Sequence, residues 1–479
     1  MTESDLSRRQ FVGAAAVSLA AASGAEGAPV KANRKPNIVY VFGDQWRAQA
    51  FGYAGDPNAR TPHVDKLAGT SVNFTTAVSG CPVCTPYRGS LLTGQFPLTT
   101  GLFMNDVYLR PEATSLAEAC TVAGYDTGYI GKWHIDGHGR SAFIPRSRRQ
   151  GFDYWKVIEC THNYNRSAYY GDQNVKRTWT GYDAAAQTRD AQKYIRDHAK
   201  GKPFLLMLSW GPPHNPYQTA PKKYRDMFPD ASAIRLRPNV PARSRRGARR
   251  DLQGYYAHGA ALDKCVGDLL GTLDECGIAD ETLFVFTSDH GDMLGSQGMV
   301  RKQKPWDESI RVPLLLRYPG VLGKKGKVID MPISTPDLMP TLLGLSGVPV
   351  PKSVEGKDFS PVLRGEAPAD NQAALISCAA PFGEWKRSRG GKEYRGVRTR
   401  RYTYVRDLKG PWLLYDNQAD PHQMTNLVGN KAHAETQARL ETLLAAKLKA
   451  TGDRFAPGDV YIKKWGYKVD KGGTVPYRS

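Results

Sequence analysis

A cysteine followed at short intervals by proline, arginine and a Leu-Thr-Gly triplet is the part of this chain with the clearest chemical potential. Pro86 lies two residues after Cys84, Arg88 lies four residues after it, and the triplet occupies positions 92–94. Proline favours the first turn of a helix, so a helix that starts near Pro86 directs Cys84 and Arg88 towards one pocket. A sulfur-bearing residue beside a fixed cation is a pattern suited to nucleophilic catalysis.

Two acidic pairs predict a site for a divalent cation. Asp44-Gln45 and Asp289-His290 each follow an apolar, strand-like run. Their mostly oxygen donor set suits a hard ion, while the histidine nitrogen weakens the case for calcium and admits manganese. One such pair alone is often a turn or a helix cap. Two pairs at strand ends favour one cation, Ca²⁺, with Mn²⁺ as the alternative.

Lysines and histidines follow other apolar runs. Lys132 and His134 lie in Gly-Lys-Trp-His after one run, and His214 lies in Gly-Pro-Pro-His after another. Lys302, with Lys304 as its near competitor, lies in a later basic segment. The carboxyl ends of strands in an open α/β sheet are where ligands bind, so we expect these side chains to share one site. Positioned cations there would stabilise charge on a transferred anionic group.

Together these motifs resemble those of the type I sulfatases, the formylglycine-dependent members of the alkaline-phosphatase-like superfamily. The resemblance extends from Pro36 to about Leu427 and includes the complete Cys-x-Pro-x-Arg pattern. It implies that a maturation enzyme oxidises Cys84 to formylglycine and that one hydroxyl of the hydrated aldehyde attacks sulfur. Deprotonation of the other hydroxyl then expels sulfate, a route that an unmodified thiolate lacks.

The resemblance also implies a set of site residues. The catalytic residues are Cys84, Arg88, Lys132, His134, His214 and Lys302. The metal ligands are Asp44, Gln45, Cys84, Asp289 and His290. Arg88 would hold the hydrated aldehyde, His134 would contact it and help sulfate leave, and His214 would be the acid for the leaving-group oxygen. Many type I sulfatases have Asp-Asp and Asp-Asn as the two acidic pairs, so the glutamine and the histidine here are departures.

The elements that position these residues are those of an α/β sandwich. Continuous apolar runs suit strands that are buried on both faces, and they lie at 38–42, 128–130, 204–210 and 283–287. Helix-like stretches at 184–200 and 252–276 lie between them. The predicted fold is therefore a large mixed, mostly parallel sheet sandwiched by helices.

The pattern changes after about residue 370. Residues 394–405 alternate as an antiparallel hairpin does, and 432–450 have the pattern of an amphipathic helix. These segments predict a smaller C-terminal α+β subdomain, with an antiparallel sheet and a helix. The predicted division is a catalytic domain over 33–370 and a C-terminal subdomain over 371–479.

The N-terminus predicts export. Arg8 and Arg9 form a twin-arginine pattern, and an apolar run at 11–22 is followed by small residues. The run is too short to span a bilayer, so residues 1–28 are interpreted as a cleaved signal peptide. The expected location is the periplasm or the outside of the cell.

Composition limits the partners. The formal net charge of +20 favours an anionic partner, which could be an anionic polysaccharide, a nucleic acid or a membrane surface. The sequence contains no nucleic-acid-binding module and, after the signal, no apolar run of transmembrane length, so neither a nucleic-acid partner nor a transmembrane segment is expected. Cys81 and Cys84 form a lone C-x-x-C without the second pair that a zinc site needs. The basic stretch at 235–250 is expected to be a surface loop.

Several functions stay open at this stage. A carbohydrate sulfatase is the leading hypothesis, and Gly-Lys-x-His favours it. The acidic pairs also resemble those of phosphonate monoester and phosphodiester hydrolases of the superfamily, and an arylsulfatase is a further alternative. A non-catalytic polyanion-binding protein would be expected to have lost the nucleophile or the metal residues, and here they are present. Two polar-aromatic loops, at 162–165 and 384–389, are either sugar contacts or solvated surface.

Overall fold

The apolar runs of the sequence are strands in the computed structural model, which describes residues 35–477. Within that range the strands are β1 (Asn37–Asp44), β2 (Val72–Phe74), β3 (Ala77–Val78), β4 (Asp126–Lys132), β5 (Tyr154–Ile158), β6 (Ala168–Tyr169), β7 (Arg177–Thr178), β8 (Phe204–Pro213), β9 (Thr282–Ser288), β10 (Leu314–Arg317), β11 (Lys327–Ile329), β12 (Ile333–Ser334), β13 (Ala374–Cys378), β14 (Tyr394–Arg398), β15 (Tyr402–Asp407) and β16 (Gly410–Asp416). The helices are α1 (Pro62–Ala68), α2 (Cys84–Thr93), α3 (Pro97–Thr100), α4 (Leu116–Val122), α5 (Asp183–His198), α6 (Lys222–Arg225), α7 (Arg245–Glu275), α8 (Asp307–Ile310), α9 (Pro319–Leu322), α10 (Thr335–Leu345), α11 (Ser360–Arg364), α12 (Ala434–Ala450) and α13 (Gly458–Trp465).

Eight strands form the central sheet, in the order β11-β2-β10-β9-β1-β8-β4-β5. The strand β1 pairs in parallel with β8 and β9, β4 pairs in parallel with β8 and β5, and β10 runs antiparallel to β9 and β2. The predicted mixed, mostly parallel sheet is therefore confirmed. Every residue of β1, β8 and β9 is buried, as expected for strands that helices cover on both faces.

Two apolar cores hold the helices to this sheet. On one face α5 and α7 pack against each other, and Leu262 and Leu269 of α7 share a core with Phe284 of β9. On the other face α2 packs against α10, and Leu91 lies in a core with Leu342. Full burial of a leucine side chain is worth about 1.5–3 kcal/mol. The sheet edge that carries the polar residues is thus fixed by a densely packed support.

The C-terminal part has the predicted antiparallel sheet and helix. Its four strands follow in the order β13-β14-β15-β16, all antiparallel. The predicted hairpin is formed by β14 and β15, and the predicted helix is α12, whose Leu440 and Leu444 pack on Val397 and Leu414 of the sheet. Residues 35–477 form one compact unit, and the division near residue 370 stays a prediction.

Two segments differ from the sequence expectations. The basic stretch expected to be a loop through residue 250 becomes helical at Arg245, where α7 begins. Arginine is a good helix former, so a run of positive charge does not by itself exclude a helix. The strand β13 had no predicted counterpart because five residues carry too little periodicity to distinguish it.

The predicted signal peptide, residues 1–28, lies outside the described residues. Among residues 35–477, no helix combines the length and the apolar character that crossing a bilayer requires.

Candidate active site

Cys84 is the first residue of α2 and lines a cavity of about 490 Å³. Its Sγ lies 3.0 Å from Lys302 Nζ, 3.7 Å from Lys132 Nζ and 3.4 Å from His290 Nε2. Burial and Asp44 act to raise the pKa of the thiol. Lys132, Lys302 and His290 outweigh them and lower the pKa well below its usual value. Three basic groups thus surround the predicted nucleophile position.

Asp44, Asp289 and His290 meet the same thiol from the ends of two neighbouring strands. The parallel register of β1 on β9 brings Asp44 and Asp289 side by side. One ligand atom from each of Asp44, Cys84, Asp289 and His290 lies within 4.8 Å of the others, and all four residues are buried. Burial and the charge of Asp44 raise the pKa of Asp289 to about 6. A cation at this point would relieve that repulsion.

Gln45 and His290 have acceptor atoms that fit such a cation. Gln45 Nε2 donates to Asp292 Oδ2 (2.6 Å), and the buried Oε1 of the same amide has no hydrogen-bond partner in the part of the chain that the structure describes. His290 Nδ1 lies 2.9 Å from the carbonyl oxygen of Gly291, which favours the tautomer that leaves a lone pair on Nε2. The chain therefore offers carboxylate and amide oxygens with one imidazole nitrogen, a donor set that suits a hard or borderline divalent ion.

Arg88 lies behind the acidic cluster. Its Nη2 is 3.2 Å from Asp289 Oδ2 and 3.4 Å from Asp44 Oδ2, and its Nη1 donates to the carbonyl oxygen of Lys132 (2.6 Å). The same Nη1 also donates to Ser209 Oγ (2.7 Å), so both terminal nitrogens of the guanidinium have partners. Its buried Nε has no hydrogen-bond partner among residues 35–477.

Lys132 is the last residue of β4 and His134 follows that strand, and the two side chains have different partners. Lys132 Nζ donates to Asp44 Oδ2 (2.6 Å) beside the thiol. His134 lines the same cavity, yet its Nε2 is 3.2 Å from Asp106 Oδ1, and Arg140 binds both oxygens of that carboxylate. Burial disfavours the charged imidazole, but neighbours including Cys160 and Asp106 raise the pKa of His134 well above its usual value.

Lys302 and His214 form the opposite wall. Lys302 Nζ lies 3.1 Å from His214 Nε2, and His214 Nδ1 lies 2.8 Å from the carbonyl oxygen of Asn215. Burial and then Lys302 lower the pKa of His214 well below its usual value, so the ring is neutral here. Lys304, the competitor in sequence, turns away and donates to the carbonyl oxygen of Val300 (2.7 Å).

The structure brings part of each polar-aromatic loop to the cavity. His162 lines it and stacks on His214, with ring centroids 4.8 Å apart, and Glu384 lines it from the second loop. Arg387 does not line it and instead pairs with Glu393. Sequence reasoning missed Asp106 and Arg140, because they lie in irregular segments and no spacing connects them.

The comparisons with known proteins bear on this arrangement. The family model described as Sulfatase matches residues 36–348, and the model described as N-sulphoglucosamine sulphohydrolase, C-terminal, matches residues 295–450. The chain is a member of the sulfatase family. A sulfatase is a sulfuric ester hydrolase, so the reaction at this site is cleavage of a sulfate ester. The family resemblance stated from the motifs, and the fold that it implied, are both confirmed.

Individual relatives align with this sulfatase over most of its length. The ulvan-active sulfatase of Formosa agariphila is 47% identical over 451 residues, which are 92% of this chain and 87% of the relative. The endo-4-O-sulfatase of Bacteroides thetaiotaomicron is 31% identical over 461 residues, with 82% of this chain and 88% of the relative covered. A solved structure from work on glycosaminoglycan metabolism by Bacteroides thetaiotaomicron superposes with a TM-score of 0.80 at 28% identity, over 90% of this chain and 98% of that one.

Family membership implies a metal ion and formylglycine. The buried cluster of Asp44, Cys84, Asp289 and His290 fits a metal site.

Proposed function

We propose that this sulfatase releases sulfate from a sulfated sugar of an anionic glycan, with formylglycine at position 84 as the nucleophile. The observation that carries the proposal is the position of Cys84, whose Sγ lies within 3.7 Å of the ammonium groups of both Lys132 and Lys302 in an open cavity. The ulvan-active and endo-4-O-sulfatase relatives and the net charge of +20 support a polyanionic saccharide as substrate.

The nucleophile requires modification of Cys84 by a formylglycine-generating maturation enzyme. When formed, the hydrated aldehyde supplies one hydroxyl that attacks sulfur and a second whose deprotonation allows sulfate to leave. Arg88 supports the group at this position, since its buried Nε has no partner among the described residues. His134, held by Asp106, is assigned to the release of sulfate from the same cavity wall.

Lys132 and Lys302 bind the non-bridging oxygens of the sulfuryl group. Both ammonium groups are buried and lie on the cavity side of Cys84, so they act where negative charge moves during transfer. Because the two lysines approach the thiol from different elements, the end of β4 and the loop before α8, they hold the sulfuryl group between them.

His214 is the acid for the leaving alcohol. Its ring lines the cavity, and it is neutral while Lys302 Nζ points at its Nε2. Lys302 must therefore turn towards the substrate before His214 can carry a proton on that nitrogen. The negative charge of an arriving sulfate attracts Lys302 and favours protonation of His214. His214 therefore becomes an acid when substrate is bound.

Asp44, Gln45, Asp289 and His290, with the group at position 84, hold one divalent cation. Such an ion supplies positive charge that neutralises a sulfate oxygen and favours ionisation of the nucleophile. The three oxygen-bearing side chains favour Ca²⁺, and His290 makes Mn²⁺ the alternative.

Export by the twin-arginine route places the protein in the periplasm or outside the cell. The supporting feature is the pair Arg8-Arg9 before the apolar run at 11–22. That route carries folded proteins, so modification and assembly precede export.

The test is a comparison of kcat/KM on one preparation. We expect sulfated oligosaccharides from ulvan and from glycosaminoglycans to include the best substrate, ahead of 4-nitrophenyl sulfate and of a phenylphosphonate monoester. Replacing Lys302 by Gln should lower kcat/KM by about 100-fold or more, because a charge-stabilising donor is lost. The matched control, Lys304→Gln, removes a neighbouring lysine that faces away from Cys84. A preference for the phosphonate would assign the protein to the hydrolases of that ester instead.

A further inference from the structure

The last segment of the chain, which neither family model covers, returns to the active-site cavity. The models end at residues 348 and 450, and α13 follows them. After α13 the backbone crosses to the cavity that Cys84 lines, where Thr474 and Tyr477 form part of the wall. Part of the active-site wall is therefore built from sequence outside the family pattern.

Apolar contacts and backbone hydrogen bonds fix this segment. Trp465, Tyr467 and Val475 pack against the core on the α2 side of the sheet. The hydroxyl of Tyr467 donates to the carbonyl oxygen of Gly101 (2.9 Å). These anchors lie on both sides of the turn that leads into the cavity wall, so the wall is a built part of the fold.

A second bond ties the segment to a loop of the site. The backbone N–H of Gly383 donates to the carbonyl oxygen of Gly472 (2.9 Å). Gly383 and Glu384 both line the cavity. The segment therefore also braces the loop that carries Glu384, one of the residues expected from sequence to meet a sugar.

Tyr477 forms the outermost contact of the segment. The guanidinium carbon of Arg140 lies 3.5 Å from the centroid of its ring. Arg140 is held in turn by Asp106, which accepts from its Nε and Nη2, both at 2.8 Å. Tyr477 remains 47% exposed as a residue, so part of its surface is open to a ligand.

We propose that Tyr477 and Arg140 form a saccharide subsite and that the C-terminal segment is a specificity element of this sulfatase. Aromatic rings offer large contact area to the C–H face of a sugar at little entropic cost. Arg140 lines the cavity and binds Asp106 through Nε and Nη2, so Nη1 is the nitrogen that we assign to a hydroxyl, carboxylate or second sulfate of the ligand. The inference rests on the saccharide substrate of the proposed function.

The experiment measures kcat and KM on an ulvan oligosaccharide and on 4-nitrophenyl sulfate. Replacing Tyr477 by Ala should raise KM for the oligosaccharide by about 5- to 10-fold, the size expected for loss of an aromatic contact. Both constants for the small ester should change by less than about twofold. Tyr477→Phe should keep the oligosaccharide KM, because the ring is retained. Val469→Ala, at an exposed residue of the same segment that does not line the cavity, is the matched control.

The outcomes separate the subsite from the proposed function. Equal losses of Tyr477→Ala on both substrates would show a purely structural role, transmitted through Arg140 and Asp106, and would overturn the subsite. An unchanged oligosaccharide KM would overturn it as well. Wild-type protein that hydrolyses the nitrophenyl ester but no saccharide would overturn the proposed substrate, and the subsite with it.

Discussion

The buried ion pair between Asp307 and Arg398 joins the C-terminal sheet to the segment that carries Lys302, and its removal should be costly. Asp307 is the first residue of α8, and Arg398 ends β14. Arg398 Nε and Nη2 donate to the two carboxylate oxygens at 2.9 and 3.0 Å, with both side chains 4% exposed. Arg311 Nη1 adds a third contact at 3.2 Å. The proposed perturbation is Asp307→Asn.

The magnitude follows from the pKa of the carboxyl group. Burial acts to raise it, but Arg398 and Arg311 lower the pKa of Asp307 from 3.8 to about 2. At about 1.4 kcal/mol for each pKa unit, ionisation contributes about 2.5 kcal/mol to folding at neutral pH. Because the pKa is lowered in the folded state, this contribution is present above pH 4 and is lost as the pH falls towards 2. The asparagine also leaves Arg398 buried without its charge partner, which brings the expected cost to about 3–5 kcal/mol.

The assay is urea unfolding followed by tryptophan fluorescence, with Trp306 next to the substituted residue. At pH 7 the variant should unfold at clearly lower urea, and its difference from wild type should be constant from pH 5 to 8. Asp197→Asn is the control, because its partner Lys193 and Asp197 itself are 70% and 50% exposed, and such pairs contribute less than about 1 kcal/mol. If Asp307→Asn lowers the free energy of unfolding no more than the control does, the reasoning is refuted.

Three further predictions concern the chemistry. Peptide mass spectrometry of active enzyme from a host with a maturation system should find formylglycine at position 84, and Cys84→Ala should fold but lose nearly all turnover; fully active enzyme with unmodified cysteine would refute the mechanism. Chelation should abolish activity, and Ca²⁺ or Mn²⁺ should restore it. Asp289→Asn should weaken metal binding because a charged ligand is lost. Elemental analysis that finds only zinc or no metal in active protein would contradict the assigned metal site. His214→Ala should lower kcat on saccharides by about 10²- to 10⁴-fold but on 4-nitrophenyl sulfate by far less, because a good leaving group needs no proton; equal losses would remove His214 from that role.

The site residues that could be predicted from the sequence are those at the ends of strands. Apolar runs located β1, β4, β8 and β9, and the residues that follow these strands meet at one edge because the strands are parallel. Asp44, Lys132, His214 and Asp289 were therefore found from local pattern plus one rule of topology.

The same reasoning does not predict residues in irregular backbone or residues that long-range packing brings to the site. The sequence does not show whether Lys302 or Lys304 faces the cavity. Residues 301 and 303 have left-handed φ values of 63° and 73°, so no helical or strand periodicity determines which side chain points inward. Asp106 shares no motif with His134, although the two are in contact. Tyr477 reaches Arg140 only because α13 and the residues after it pack back on the core.

The distribution of charge around position 84 favours a sulfate monoester over a diester. Asp44 and Asp289 both pair with Arg88, and Lys132 and Lys302 are the two lysines whose ammonium groups lie beside Cys84 in the cavity. A terminal sulfuryl group presents three non-bridging oxygens, enough for two ammonium groups and the cation together. A diester has only two such oxygens and must place its second substituent where one of these partners lies. The buried lysines would then lose a charge-assisted hydrogen bond, and that loss is the physical basis for the expected preference.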